Sequence, residues 1–116
     1  MRKTYFVDID GTLLEHIEDF ENIDRTKHLK ALPGAREKTA KWHCEGSMII
    51  LTTARPESIR RLTEEQLQNA GVFYDMLLMG IGGGPRILIN DYQFDKPMKA
   101  FSYNVLRNVQ GIEHIP

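Results

Sequence analysis

The segment from Tyr5 to Thr12, Tyr-Phe-Val-Asp-Ile-Asp-Gly-Thr, constrains this chain more than any other. Its apolar residues are not confined to alternate positions, so Tyr5 to Ile9 is predicted to be a strand buried on both faces. Strands of that kind belong to parallel sheets covered by helices. The run then meets two acids, a glycine and a threonine. Side chains alternate along a strand, so Asp8 and Asp10 point to one side if the extended chain persists that far. Gly11 lets the chain turn at little steric cost. The Thr12 hydroxyl can tie that turn to a carboxylate or to the backbone.

The plan repeats downstream. Ala35 to Glu45 is predicted to be a helix, with Pro33-Gly34 before it and Gly46 at its end. Ser47 to Leu51 forms a second buried strand that runs out into Thr52 and Thr53. Pro56 and Glu57 suit the first turn of another helix. On it Ile59, Leu62, Leu67 and Ala70 share one face, leaving Arg60, Arg61, Glu64, Glu65 and Gln68 for solvent. Met76 to Met79 is a third strand, Gly80 to Pro85 a tight loop, and Arg86 to Ile89 a fourth strand leading to Asp91. Ala100 to Val105 is a fifth. This alternation argues for an α/β fold, a doubly wound, mostly parallel sheet in one domain spanning residues 1–116. Between the first strand and first helix, Leu13 to Leu32 carries an acidic half and then a basic half, the pattern of a solvated loop or small hairpin flap.

Composition narrows the classes. A chain of 116 residues supports one core. A net charge of −1 gives no basic field to draw nucleic acid or an anionic membrane. Cys44 is the one cysteine, which excludes an internal disulfide and fits a reducing compartment. No apolar run approaches bilayer length, and the N-terminus has no signal-peptide core, so a cytoplasmic protein without a membrane partner is expected. No His/Cys cluster suits zinc. The glycines between Gly80 and Gly84 lead through Pro85 into a strand, which makes them a turn and not a dinucleotide fingerprint.

In parallel α/β sheets ligands bind beyond the carboxyl ends of the strands. Asp8 and Asp10, Thr52 and Thr53, and Asp91 all fall on that rim. Two carboxylates so close resist joint ionisation unless a cation or a shared proton relieves them. Mg²⁺ suits such oxygens and needs only one or two protein carboxylates beside waters and phosphate, which Asp8 and Asp91 would supply. Groups around Thr53 could hold phosphate oxygens, and Arg55 offers them a bidentate fork. A carboxylate can also be a nucleophile that splits one hard hydrolysis into two easier steps. A second one, two residues on, could protonate the leaving oxygen and then activate water.

Asp8-Ile-Asp-Gly-Thr12 resembles the first signature of the haloacid dehalogenase (HAD) superfamily phosphatases. Met48 to Pro56, an apolar strand ending in Thr-Thr-Ala-Arg-Pro, is similar to the second motif, and Ile87 to Asp95 to the acidic fourth. The order and spacing match over nearly the whole chain. The resemblance implies a Rossmann-like core with Asp8 as nucleophile and metal ligand. Asp10 would be the general acid/base, its backbone carbonyl on Mg²⁺. Thr53, or Thr52 one residue earlier, would bind the phosphoryl group, and Asp91 would complete the metal site. Two departures stand out. Asn90-Asp91 replaces the usual adjacent acids, while Asp91 and Asp95 keep the spaced pair. The family's third-motif Lys is missing between Lys41 and Lys96, which makes Arg86 the substitute. The short segments at both cap positions imply a capless member, closed by oligomerisation, by the flap or by a large substrate. The implied substrate is a small phosphorylated metabolite such as a sugar phosphate. A polynucleotide 3′-phosphatase and a non-catalytic binding or assembly protein are the alternatives.

Overall fold

Each of the first three apolar runs becomes a strand in the computed structural model, which describes residues 2–17 and 28–116. In chain order the elements are β1 (Thr4–Asp8), α1 (Ala35–Cys44), β2 (Met48–Thr52), α2 (Arg60–Ala70) and β3 (Met76–Leu78), a short 3-10 turn at Glu57–Ile59 leading into α2. The strands form one parallel sheet in the order β1-β2-β3. This is an α/β core in which each helix crosses over between neighbouring parallel strands. Register pairs Asp8 with Thr52 and Thr52 with Leu78, so the three strands end on a common rim.

Two crossovers of the favoured right hand that step in the same direction place both helices on one face of the sheet. The core is arranged accordingly. Val7, Ile49, Leu51 and Leu77 on one sheet face join Ala35 and Trp42 of α1 and Leu67 of α2 in a single buried cluster. Trp42 is the largest side chain in it. It stacks on Tyr5 with ring centroids 3.8 Å apart and donates its indole N–H to the Pro116 carbonyl at 3.1 Å. On the opposite sheet face the described residues leave Phe6 56% exposed, with Met76 and Leu78 also exposed. The first strand is thus buried on one side, whereas its composition predicts burial on both.

Two further expectations need correction. Arg86 to Ile89 and Ala100 to Val105 form no strands, and Ile87, Leu88 and Ile89 stand exposed. The local reason is at the entry to that stretch. Pro85 lacks a backbone donor, and the Arg86 guanidinium folds back onto the carbonyls of Gly82 and Gly84 at 2.6 and 2.7 Å. That closes a turn where a ladder would begin. The second correction concerns the flap, whose residues 18–27 lie outside the described residues. Its ends are core and not solvated loop: Leu13, Leu14, Leu29 and Leu32 are all buried. An antiparallel bridge joins Leu14 to Ala31, and the Glu15 N–H donates to the Lys30 carbonyl at 2.9 Å.

The chain's last turns return to the rim. Gly111 has φ +59°, and a side chain there would collide with the backbone of Pro33, so only glycine lets this segment close on the entrance of α1. Asn108 donates its N–H to the Gly11 carbonyl at 3.0 Å and accepts the His16 N–H through Oδ1 at 2.6 Å. Among the described residues no helix is long and apolar enough to cross a membrane.

Candidate active site

The site grows from the end of β1. After Asp8 the chain makes one more sheet bond, from the Ile9 N–H to the Thr52 carbonyl at 3.3 Å, and then turns. Gly11 takes φ +89° there, with Arg107 packed against the position where a side chain would begin. Thr12, Leu13 and Leu14 all send their N–H groups back to the Ile9 carbonyl. The turn is anchored on a buried isoleucine, and its two acids are held at the rim.

The two carboxylates have different surroundings. Asp8 keeps an open side to solvent and accepts the Thr12 hydroxyl at 3.2 Å. Partial withdrawal from water pushes its carboxyl above the usual value, and the neighbouring Asp10 charge pushes the same way. The Thr12 hydroxyl, the Arg86 cation and the Ile9 backbone pull it back down. Arg86 therefore lies within electrostatic reach of Asp8, although its own hydrogen bonds go to glycine carbonyls.

Asp10 is enclosed by donors. The Arg55 guanidinium reaches it from Nη2 to Oδ1 at 2.8 Å and from Nε to Oδ1 and Oδ2 at 3.1 and 3.2 Å. The Thr53 hydroxyl donates to Oδ2 at 3.1 Å. Arg55 is only 1% exposed. Its remaining nitrogen, Nη1, donates to Thr63 Oγ1 at 3.1 Å and Gln66 Oε1 at 2.5 Å, both fully buried on α2.

The residues expected at the site thus separate. Asp8, Asp10, Thr52 and Thr53 come together where β1 and β2 end, with Thr52 in register beside Asp8. Thr53 is fully buried, its hydroxyl turned to Asp10, and the Arg55 N–H donates to that same oxygen at 3.1 Å. Arg55, expected as a substrate contact, points inward instead. Asp91 is exposed on a stretch without a strand to carry it to the rim, and Asp95 is exposed as well. Among the described residues no group of three or more His, Cys, Asp or Glu lies close enough to hold a metal. The donor set at the rim is then the Asp8 and Asp10 pair. A strongly hydrated Mg²⁺ that takes one or two carboxylates and fills its shell with waters and phosphate is compatible with that pair.

Thr63 and Gln66 escape a reading of the sequence alone. Their signal is present in hindsight: they are three residues apart and flank the face that carries Leu67, so two polar residues point where only apolar ones are needed. A buried partner with its own charge, Arg55, explains them.

No family model and no curated protein matches the sequence. Solved structures share its fold. One is a Vibrio cholerae protein, with TM-score 0.55 and 22% identity over 76% of this chain and 79% of that one. Another is D,D-heptose 1,7-bisphosphate phosphatase from B. bronchiseptica, solved with magnesium and phosphate, with TM-score 0.53 and 18% identity over 70% of this chain. A chain of the Pnkp1/Rnl/Hen1 RNA repair complex matches with TM-score 0.57 and 26% identity over 81% of this chain. The match spans 51% of the heptose bisphosphate phosphatase and 28% of the repair-complex chain.

Proposed function

Because the chain carries the fold of the haloacid dehalogenase superfamily phosphatases, we propose that it hydrolyses phosphomonoesters with Mg²⁺, using Asp8 as the nucleophile. The observation that carries this reading is the unequal pair at the end of β1. One carboxylate is open to solvent and held by a single side-chain hydroxyl, while its neighbour is immobilised by a guanidinium and a hydroxyl. Asp8 Oδ attacks phosphorus as the bond to the ester oxygen breaks, and Asp10 delivers the proton to that oxygen. A water then gives its proton to Asp10 and attacks phosphorus, the bond to Asp8 breaks, and inorganic phosphate leaves.

Asp8 and the Asp10 backbone carbonyl would hold the metal, with waters and phosphate filling the rest of its shell in place of Asp91. When bound, the ion neutralises charge on the phosphoryl oxygens. Thr52, in register beside Asp8, would hold those oxygens in place, since the Thr53 hydroxyl and N–H are engaged within the fold. Arg86 stands in for the absent Lys, and its pull on the Asp8 carboxyl supports that role. A small phosphorylated metabolite such as a sugar phosphate is the proposed substrate, handled in a reducing, cytoplasmic compartment. A 3′-phosphorylated polynucleotide is the second reading, favoured by the likeness to the RNA repair complex.

Nothing in the described residues roofs the rim, and self-association would supply that cover. Among the described residues Tyr92, Phe94, Phe101 and Tyr103 are 58–95% exposed, and Phe6, Met76 and Leu78 are exposed on one face of the sheet. At roughly 150–250 Å² per ring, the four rings alone offer a large part of the ~800 Å² that each partner of a stable dimer buries. Phosphate release from a panel of sugar phosphates, nucleotides and 3′-phosphorylated oligonucleotides, with Mg²⁺ or with EDTA, tests the activity. Metal-dependent release from at least one class is expected. No release from any of them would make the fold a binding or assembly scaffold.

A further inference from the structure

We propose that Arg55, backed by Thr63 and Gln66, is a positioning residue. It fixes the direction in which the Asp10 carboxylate faces the reacting group, and it does not bind the phosphoryl group itself. The inference rests on the phosphatase reading and assigns a task within that same site.

The geometry points this way from both ends of the side chain. At one end the guanidinium takes both Asp10 oxygens in a fork, an arrangement that sets the plane of a carboxylate as well as its distance. At the other, Nη1 is held by two fully buried acceptors on α2. Thr63 is fixed in turn, since its hydroxyl donates to the Ile59 carbonyl at 2.8 Å. Nε, Nη1 and Nη2 are all engaged within the fold, and the residue is 1% exposed, so it presents no surface to a substrate. Thr53 closes the ring by donating to Asp10 while accepting the Arg55 N–H. A chain of polar contacts therefore runs from the interior of α2 to one carboxylate on the rim. Orientation errors near 1 Å in such a group can cost about 100-fold in rate.

The experiment compares wild type with Arg55→Lys, Gln66→Met and Thr63→Val on two substrates, p-nitrophenyl phosphate and an alkyl phosphate, with inorganic phosphate as a competitive inhibitor. Lysine keeps the charge and loses the fork. The expected result for Arg55→Lys is a fall in kcat of about 100-fold on the alkyl phosphate, whose leaving oxygen needs a proton. The fall on p-nitrophenyl phosphate is expected to be much smaller, with KM and the inhibition constant of phosphate unchanged. Gln66→Met and Thr63→Val, which leave the ion pair in place, should show the same split at about one tenth the size. If the variants weaken inhibition by phosphate, Arg55 is a phosphate ligand and the proposal is overturned. Equal losses on both substrates, in proportion to lost thermal stability, mean a purely structural part and overturn it too. Wild type without turnover on either substrate or on any member of the sugar phosphate, nucleotide and oligonucleotide panel removes the phosphatase reading and this inference together, an outcome distinct from the other two.

Discussion

Asp8→Asn should make the metal-free protein more stable. In the wild type, withdrawal from water and the Asp10 charge both disfavour the Asp8 carboxylate. Two residues of extended chain separate Asp8 and Asp10 by about 6.5 Å, at which two unit charges interact by about 0.6 kcal/mol in water and about 2.5 kcal/mol at an effective dielectric of ~20. The open side of Asp8 and the Arg55 cation on Asp10 both move the net effect toward the smaller figure. Asparagine can still accept the Thr12 hydroxyl, so a gain of about 0.5–1 kcal/mol remains. For a domain of this size that is roughly 2–5 °C in Tm. The sign with pH follows from the raised pKa. The penalty on the wild type is complete above the folded-state value, shrinks as pH falls through it, and is gone below the ordinary carboxylate value. Thermal melts of both proteins in EDTA, from about pH 7 to about pH 4, should show the gap closing on acidification. Mg²⁺ should narrow it as well, because the ion stabilises the protein that binds it more tightly. An Asp8→Asn protein no more stable than wild type at neutral pH would refute the reasoning.

Three other outcomes are expected. Arg55→Met leaves Asp10 without its counter-ion, and should cost about 3–5 kcal/mol in urea unfolding, the range for breaking a buried pair from one side. Gly11→Ala places a Cβ 2.8 Å from Arg107 Cγ at φ +89°, and should lower stability by about 1–2 kcal/mol while impairing turnover, because the Asp10 turn must shift. Light scattering coupled to size exclusion should report a dimer at micromolar concentration, and Phe94→Asp combined with Phe101→Asp should return it to the monomer.

The parts of the fold legible in the sequence are those governed by neighbours in the chain. Consecutive apolar residues around Val7, Ile49 and Leu77 make strands wherever helices can cover them, and Gly34 and Gly71 bracket helices because they accept positive φ. The parts that were not legible depend on distant partners. Ile87 to Ile89 has the composition of a strand, but a ladder also needs an edge to join, and the turn closed by Arg86 intervenes. The charges of the flap suggested solvent from Leu13 to Leu32, yet both leucines are buried, and Leu13, Leu14 and Leu29 join the cluster that packs on the sheet. Asp8, Asp10, Thr52 and Thr53 could be placed on one rim from strand polarity alone. The inward turn of Arg55 could not, since its acceptors are eight and eleven residues further on in a helix whose rotation is set by Leu67 packing.

The central claim is that the Asp8 carboxylate becomes covalently phosphorylated during turnover. Acid-quenching the enzyme with Mg²⁺ and substrate, then locating the added phosphoryl group by peptide mass spectrometry, tests it directly. The account predicts that the group appears on Asp8 and is absent from Asp8→Asn, which folds but does not turn over. Phosphate release by an Asp8→Asn protein at the wild-type rate, or a phosphoryl group found on another residue, would contradict it.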